Sequence, residues 1–167
     1  MTTTVDDLAL ILECHREKLA LRQRHAAVAR VVSNYNFNNT YQYVIAREDV
    51  HLSWLEAAIA ELGGTAATVA EPPVPALRGK GKDAYLPLIK EDARDAEAFV
   101  NKWRPRLGEI KNARHRTMLQ LMCGETLEQK RFFDQMVAGN EDLLGRRSNG
   151  AGSPGTGDGV LGVRWIE

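Results

Sequence analysis

Neither sign of charge prevails in this chain of 167 residues: 22 Lys and Arg stand against 22 Asp and Glu, and four His are left to tip the balance. Bulk nucleic-acid binders gain affinity by neutralising phosphates and carry a basic excess or stripe, so that class is not expected here. Cysteine is scarce as well. Cys14 and Cys123 alone make no disulfide framework, and their place in helical stretches predicts reduced thiols in a cytoplasmic protein. No window approaches the roughly 18 apolar residues of a membrane span. Met1 to Leu12 has no basic residue and carries Asp6 and Asp7, unlike a secretory signal. Strand signals are also missing between the main breaks in the chain: almost no period-2 alternation and no Asn-Gly or Asp-Gly hairpin turns. The expected fold class is all-α, soluble and cytoplasmic, with no nucleic-acid or membrane partner.

What the sequence does have is proline and glycine in two blocks. Pro72, Pro73 and Pro75 are three of six prolines, and seven of fourteen glycines lie between Gly145 and Gly162. Helix 1 is expected from Thr3 or Thr4 to about Ser33, and helix 2 from about Thr40 to Leu62, stopped by Gly63-Gly64. Helix 3 should run from Asp83 to Arg104, because Pro105 disfavours helical geometry in the residue before it, and helix 4 from about Pro105 to Val137. The connections are short, long, short. A short loop joins antiparallel neighbours, whereas a long one travels the bundle length, as in a ferritin-like four-helix bundle with one long crossover between helices 2 and 3. Loop lengths alone fit an ordinary up-down bundle equally well. Residues 1–145 are expected to form the bundle and 146–167 a Gly-rich tail, whose apolar end Val160–Glu167 packs on the bundle, on a neighbouring subunit or on a partner protein.

An acid on the apolar stripe of a helix needs a partner, because an unpaired buried carboxylate costs several kcal/mol or takes up a proton. On helix 2, Tyr41, Val44, Ile45, Leu52, Leu55, Ile59 and Leu62 form the stripe; Glu48 lies at its centre and His51 on its shoulder. On helix 4, Met118, Met122, Phe132, Phe133 and Met136 enclose Glu125, next to Gln129, and on helix 3 Asp92 shares a face with Tyr85, Ile89, Ala96, Phe99 and Trp103. Helix 1 offers Glu17 beside the Leu10, Cys14, Leu21, Val28 stripe, with Glu13 farther round. Glu17 and Glu48 are 31 positions apart, and Asp92 and Glu125 are 33, so each antiparallel hairpin brings its two acids to one level. Oxygen-rich sites with one or two imidazoles in a bundle core suit iron or manganese.

The segment Ala46-Arg-Glu48-Asp-Val-His51-Leu-Ser-Trp-Leu-Glu56, ending in Leu62-Gly-Gly64, resembles the second helix of the ferritin-like superfamily, which includes bacterioferritins and rubrerythrins. The resemblance extends over roughly residues 5–139, with a short specific part. It implies a di-iron carboxylate centre in which Glu48 bridges, and Glu17 (Glu13 as runner-up) and His51 are terminal ligands. Glu125 is then the second bridging acid, with Asp92 and Glu128 completing the other half. The second half departs from the family pattern: Asp92 stands for Glu, and Glu128 stands where the second histidine belongs, with Gln129 next to it.

His15, His25 and His115 read as surface or packing residues, the methionines of helix 4 as core, and Trp54 as a possible oligomer contact. The resemblance implies a metal-binding protein, a homo-oligomer such as a dimer, with Fe, or alternatively Mn, as cofactor. Its chemistry would be Fe(II) oxidation by O2 or peroxide, that of a ferroxidase or di-iron oxidoreductase. The alternative is a non-catalytic bundle serving protein interaction, its acids locked in ion pairs for which Arg47, Arg94 and Tyr85 are available.

Overall fold

The computed structural model describes residues 6–144, which form helices and no strand. The helices are α1 (Asp7–Ala29), α2 (Tyr35–Glu61), α3 (Lys82–Arg106) and α4 (Ala113–Val137), with a 3-10 turn at Leu107–Glu109 before α4. The expected tail lies outside the described residues. None of the described helices is long and apolar enough to cross a membrane.

Side-chain caps move the expected boundaries. Helix α2 starts five residues early because the Asn34 side chain accepts from the Phe37 amide at 2.9 Å, which places Asn36, Asn38 and Asn39 inside the helix. Asn38 then donates to the carbonyl of Ala29 at 2.8 Å, closing the turn from α1. Helix α3 carries Pro105 in its last turn and ends at Arg106. Helix α4 therefore begins only after the 3-10 turn, at Ala113, capped by Asn112, whose side chain accepts from the amides of Arg114 and His115. The Asp7 carboxylate accepts from the amides of Lys111 and Asn112, both at 2.9 Å, and ties this turn to the start of α1. Asn112→Ala is expected to cost about 1 kcal/mol, read as a lower urea midpoint at unchanged slope. At the end of α2, Gly63 has φ 77°, and a Cβ on Gly64 would lie 2.5 Å from the Leu8 side chain. Each of the two glycines thus has its own reason to be there.

Cross-helix pairs give the directions. His15 meets Glu56 and Arg22 meets Asp49, so α1 and α2 are antiparallel. Glu13 with Arg106 and Arg24 with Asp92 make α1 and α3 antiparallel. Glu61 with His115 and Tyr43 with Phe132 do the same for α2 and α4. Packing is closest within the α1–α2 and α3–α4 hairpins, which meet each other through α1–α3 and α2–α4. The bundle is apolar at both ends. One cluster, around Ile11, Leu55, Ile59, Trp103 and Met122, lies toward the start of α1. The other, around Val28, Phe37, Tyr41, Ile89 and Phe133, lies toward its end. Between them is a band of buried polar side chains: Lys18, His25, Glu48, His51, Asp92, Thr126 and Gln129.

Candidate functional site: a buried ionic layer

Lys18 and His25 come from α1, two turns apart on its inward face, and Glu48 comes from the facing turn of α2. All three are essentially inaccessible to solvent. The His25 Nδ1 donates to Glu48 Oε2 at 2.8 Å, and the Lys18 ammonium lies 3.7 Å from Glu48 Oε1. That ammonium donates to the Thr126 hydroxyl of α4 at 2.8 Å and sits 5.0 Å from the centre of the Phe99 ring. Thr126 gives its own hydrogen to the Met122 carbonyl at 2.8 Å, so its oxygen is left free to accept from Lys18.

Each of these charges works against burial. Desolvation disfavours ionised Glu48, yet His25 and Lys18 hold its carboxyl below the usual value. Burial opposes a charged His25, but Glu48 and Asp92 outweigh it and raise the imidazole above 6.5. Burial pushes the Lys18 amine down, and Glu48 offsets only part of this.

On the α3 side Asp92 is fully buried. It accepts from Arg24 Nε at 2.6 Å and from the Tyr41 hydroxyl, and lies 3.9 Å from His25 Nε2. Burial and the neighbouring Asp92 push the Tyr41 phenol well above its ordinary value. On the α4 side the Glu125 carboxylate accepts from Arg47 through two guanidinium nitrogens and from His51 Nε2 at 2.6 Å. Burial opposes its charge, but Arg47 and His51 hold its pKa below the usual carboxylate value. Burial, helped by the Lys18 charge, pushes His51 down to about 4 against the pull of Glu125.

The remaining expected ligands lie away from the centre. Glu17 turns to the α1–α3 seam, where it accepts from Trp103 Nε1 at 2.8 Å and pairs with Lys102. Its runner-up, Glu13, pairs with Arg106 at 3.0 Å and Lys102 at 2.7 Å. Glu128 points outward to Arg131 at 3.0 Å. The inward face of α4 at this level carries Thr126 and Gln129 instead, one residue on from Glu125 and Glu128. A cleft of about 310 Å³ between α1 and α3 is lined by Glu17, Leu21, Arg24, Asp95 and Phe99, and includes neither Glu48 nor His51.

A di-iron centre needs open carboxylates from all four helices. Here α1 contributes a lysine at the level of Glu48, Asp92 is engaged by Arg24 and Tyr41, and Glu125 is held by Arg47 and His51. Among the described residues no group of three or more His, Cys, Asp or Glu is arranged to hold a metal ion. The residues present do not fit two metal ions.

No family model, curated protein or solved structure matches the chain.

Two central residues escaped sequence reasoning, Lys18 and His25. They fall in the gaps of the α1 stripe, where Cys14, Lys18, Leu21, His25 and Val28 follow one another at spacings of four and three. The histidines read as surface or packing residues are all buried, and each faces a carboxylate: His15 with Glu56, His25 with Glu48, and His115 with Glu61.

The two central imidazoles shift in opposite directions, so each couples stability to pH with its own sign. His51, with a folded value of about 4, costs stability as pH falls from 6.5 toward 4, because the unfolded imidazole takes up a proton that the folded one refuses. That limb is worth roughly 3 kcal/mol at the full shift. His25 is raised, so its contribution is fully present below 6.5 and is lost as pH rises through its folded value. Lys18, whose folded value is lowered, gives the opposite slope at alkaline pH, so urea midpoints are expected to rise from pH 4 to 6.5, and His25→Gln to gain relative to wild type as pH rises above 6.5. Midpoints that stay level across this range would refute the assignment.

Proposed function

We propose that this protein is a ferritin-like four-helix bundle that has exchanged a metal centre for an ionic layer and acts as a non-catalytic protein-interaction module. The carrying observation is that each of the five carboxylates expected as ligands has a cationic partner from the protein itself: Glu17 with Lys102, Glu48 with Lys18 and His25, Asp92 with Arg24, Glu125 with Arg47, and Glu128 with Arg131. The single crossover belongs to the same reading. The segment 62–81 leaves α2 beside Leu8, its Val69 carbonyl accepts from Gln23 at 2.6 Å, its Glu71 lies 4.0 Å from Arg30, and Lys82 reaches the Phe37 ring. Those contacts follow α1 from one end to the other.

Interaction is supported on the α2–α4 side, where Tyr43 is 45% and Leu121 51% exposed. They lie one turn before Arg47 and Glu125 respectively, and a homodimer through this face is the simplest assembly. Sedimentation of wild type beside Tyr43→Lys and Leu121→Lys tests it: loss of a dimer is expected in the variants, and a wild type monomeric at all concentrations refutes self-association through this face.

A second reading, iron or manganese binding with Fe(II) oxidation, is favoured by buried polar atoms without a hydrogen-bond partner, namely Glu48 Oε1 and His51 Nδ1. Metal analysis after anaerobic reconstitution with Fe(II) or Mn(II) separates the two. Stoichiometric metal lost in Glu48→Ala would establish the second and overturn the first.

A further inference from the structure

We propose that the cleft between α1 and α3 is the docking site for the chain's own segment Val160–Glu167, which lies outside the described residues. The inference goes beyond the reading above. It concerns the side of the bundle away from Tyr43 and Leu121, and it holds whether or not the protein dimerises through them.

Two matching stripes make the cleft. On α1 Glu17, Ala20, Leu21 and Arg24 follow one another at spacings of three and one, so that they share a face, and on α3 Asp95, Ala98, Phe99 and Lys102 repeat the pattern. The helices are antiparallel, so Arg24 meets Asp95 at one end and Lys102 meets Glu17 at the other. Between these ionic ends the lining is apolar. Leu21 and Phe99 form a floor, while Ala20 and Ala98 have nothing beyond Cβ to fill the trough. At about 310 Å³ it stands at the small end of ligand-sized clefts.

The Arg24 end is short of positive charge. One guanidinium answers Glu91 at 3.2 Å, Asp92 at 2.6 Å and Asp95 at 3.5 Å. Asp92 is buried, but Glu91 and Asp95 reach the rim with side chains 53% and 41% exposed. Burial raises the Asp95 carboxyl above its ordinary value; Arg24 opposes this, and Asp92 and Glu91 add to it. Such a rim favours a further cation from outside the cleft.

Val160–Glu167 reads Val-Leu-Gly-Val-Arg-Trp-Ile-Glu, one cation among apolar side chains. Arg164 complements Glu91 and Asp95, Glu167 complements Lys102, and Trp165 and Ile166 between them match the apolar part of the trough. The spacing agrees. Arg164 and Glu167 are about 10 Å apart in extended chain, and Asp95 and Lys102 about 10.5 Å apart along α3. The reach agrees as well. Beyond the end of α4, Glu141 pairs with Lys82 at the start of α3, and Asp95 lies about 20 Å along the helix from there. A Gly-rich chain the length of residues 145–159 averages about 21 Å end to end.

Disulfide trapping in the full chain tests the proposal. Cys14 and Cys123 are buried, which leaves introduced surface thiols to pair with each other. Ala98→Cys with Ile166→Cys is compared with Arg131→Cys with Ile166→Cys. Ala98 and Arg131 are both exposed, and Arg131 follows Lys130, which feels the charge of Glu97, so the two sites stand at one height on different sides of the bundle. Under one mild oxidant the Ala98 pair is expected to close within a chain at least about tenfold faster than the Arg131 pair, because docking raises the effective concentration above that of the tether alone. Arg164→Glu is expected to remove that advantage. Glu167→Cys takes the place of Ile166→Cys should loss of the isoleucine itself weaken docking. Equal rates at the two sites, or a rate indifferent to Arg164→Glu, would overturn the inference. Closure between chains instead of within one would overturn it too, giving the cleft to a neighbouring subunit's segment. Each of these outcomes leaves the non-catalytic reading standing, since that reading fails on metal analysis alone.

Discussion

Glu48→Ala is expected to lower the unfolding free energy by about 3–5 kcal/mol, close to the largest loss a single substitution in this bundle can produce. The cost comes less from the contacts removed than from what is stranded. Lys18 and His25 lose their shared counter-ion in a layer sealed at both ends by apolar side chains. Two cations on the inward face of α1 then look onto the emptied position on α2, with only Asp92 left near His25, and either one must give up its proton or the helices must part to admit water. The companion experiment removes charge from both sides. Lys18→Met combined with Glu48→Leu is expected to be markedly more stable than Glu48→Ala alone, because a buried ion pair exchanged for apolar groups of similar volume is often neutral. Guanidinium chloride unfolding of wild type, Lys18→Met, Glu48→Leu and the double variant gives the coupling directly. A Glu48→Ala protein within about 1 kcal/mol of wild type would mean that the layer is hydrated and its charges are screened.

Asp92 should show the second large effect, and the order of its variants is informative. Asp92→Ala removes the acceptor of Arg24 and of the buried Tyr41 hydroxyl, and takes away the second acid beside His25, so about 3–5 kcal/mol is expected. Tyr41→Phe removes one donor and leaves Asp92 with Arg24, for which about 1–3 kcal/mol is expected. Arg24 is partly exposed, so Arg24→Met should fall between the two. If Tyr41→Phe proved the costlier change, the Tyr41 hydrogen bond rather than the carboxylate's counter-ion would hold this side of the layer.

The element types were legible in the sequence because apolar periodicity survives almost any surface, and all four helices are where it placed them. Boundaries were less so. Asn34 and Asn112 extend or delay helices through a single side-chain acceptor, and hydrophobic pattern carries no trace of that. At the site, Glu48, His51 and Asp92 were found because each interrupts an otherwise apolar stripe, and each is buried. Glu125 and Glu128 were displaced by one position. Half-buried Met118 and Phe132 pulled the apparent centre of the α4 face toward them, whereas the buried series runs His115, Leu119, Met122, Thr126, Gln129, Phe133, Met136. Lys18 was the hardest to see. A lysine on a helix is read as solvated by default, and only its position in a four-three series of buried residues gives it away.

The ionic layer also bears on how the two hairpins align. Apolar surfaces tolerate sliding, since one leucine sits against another about as well as against the next. Charged groups do not. Arg24 to Asp92, Lys18 to Thr126 and Arg47 to Glu125 each join the α1–α2 hairpin to the α3–α4 hairpin. A slip of one helical turn, about 5.4 Å, would part all three pairs at once. The band that separates the two apolar clusters therefore works as a set of registration pins, fixing how far along its axis each half of the molecule comes to rest against the other.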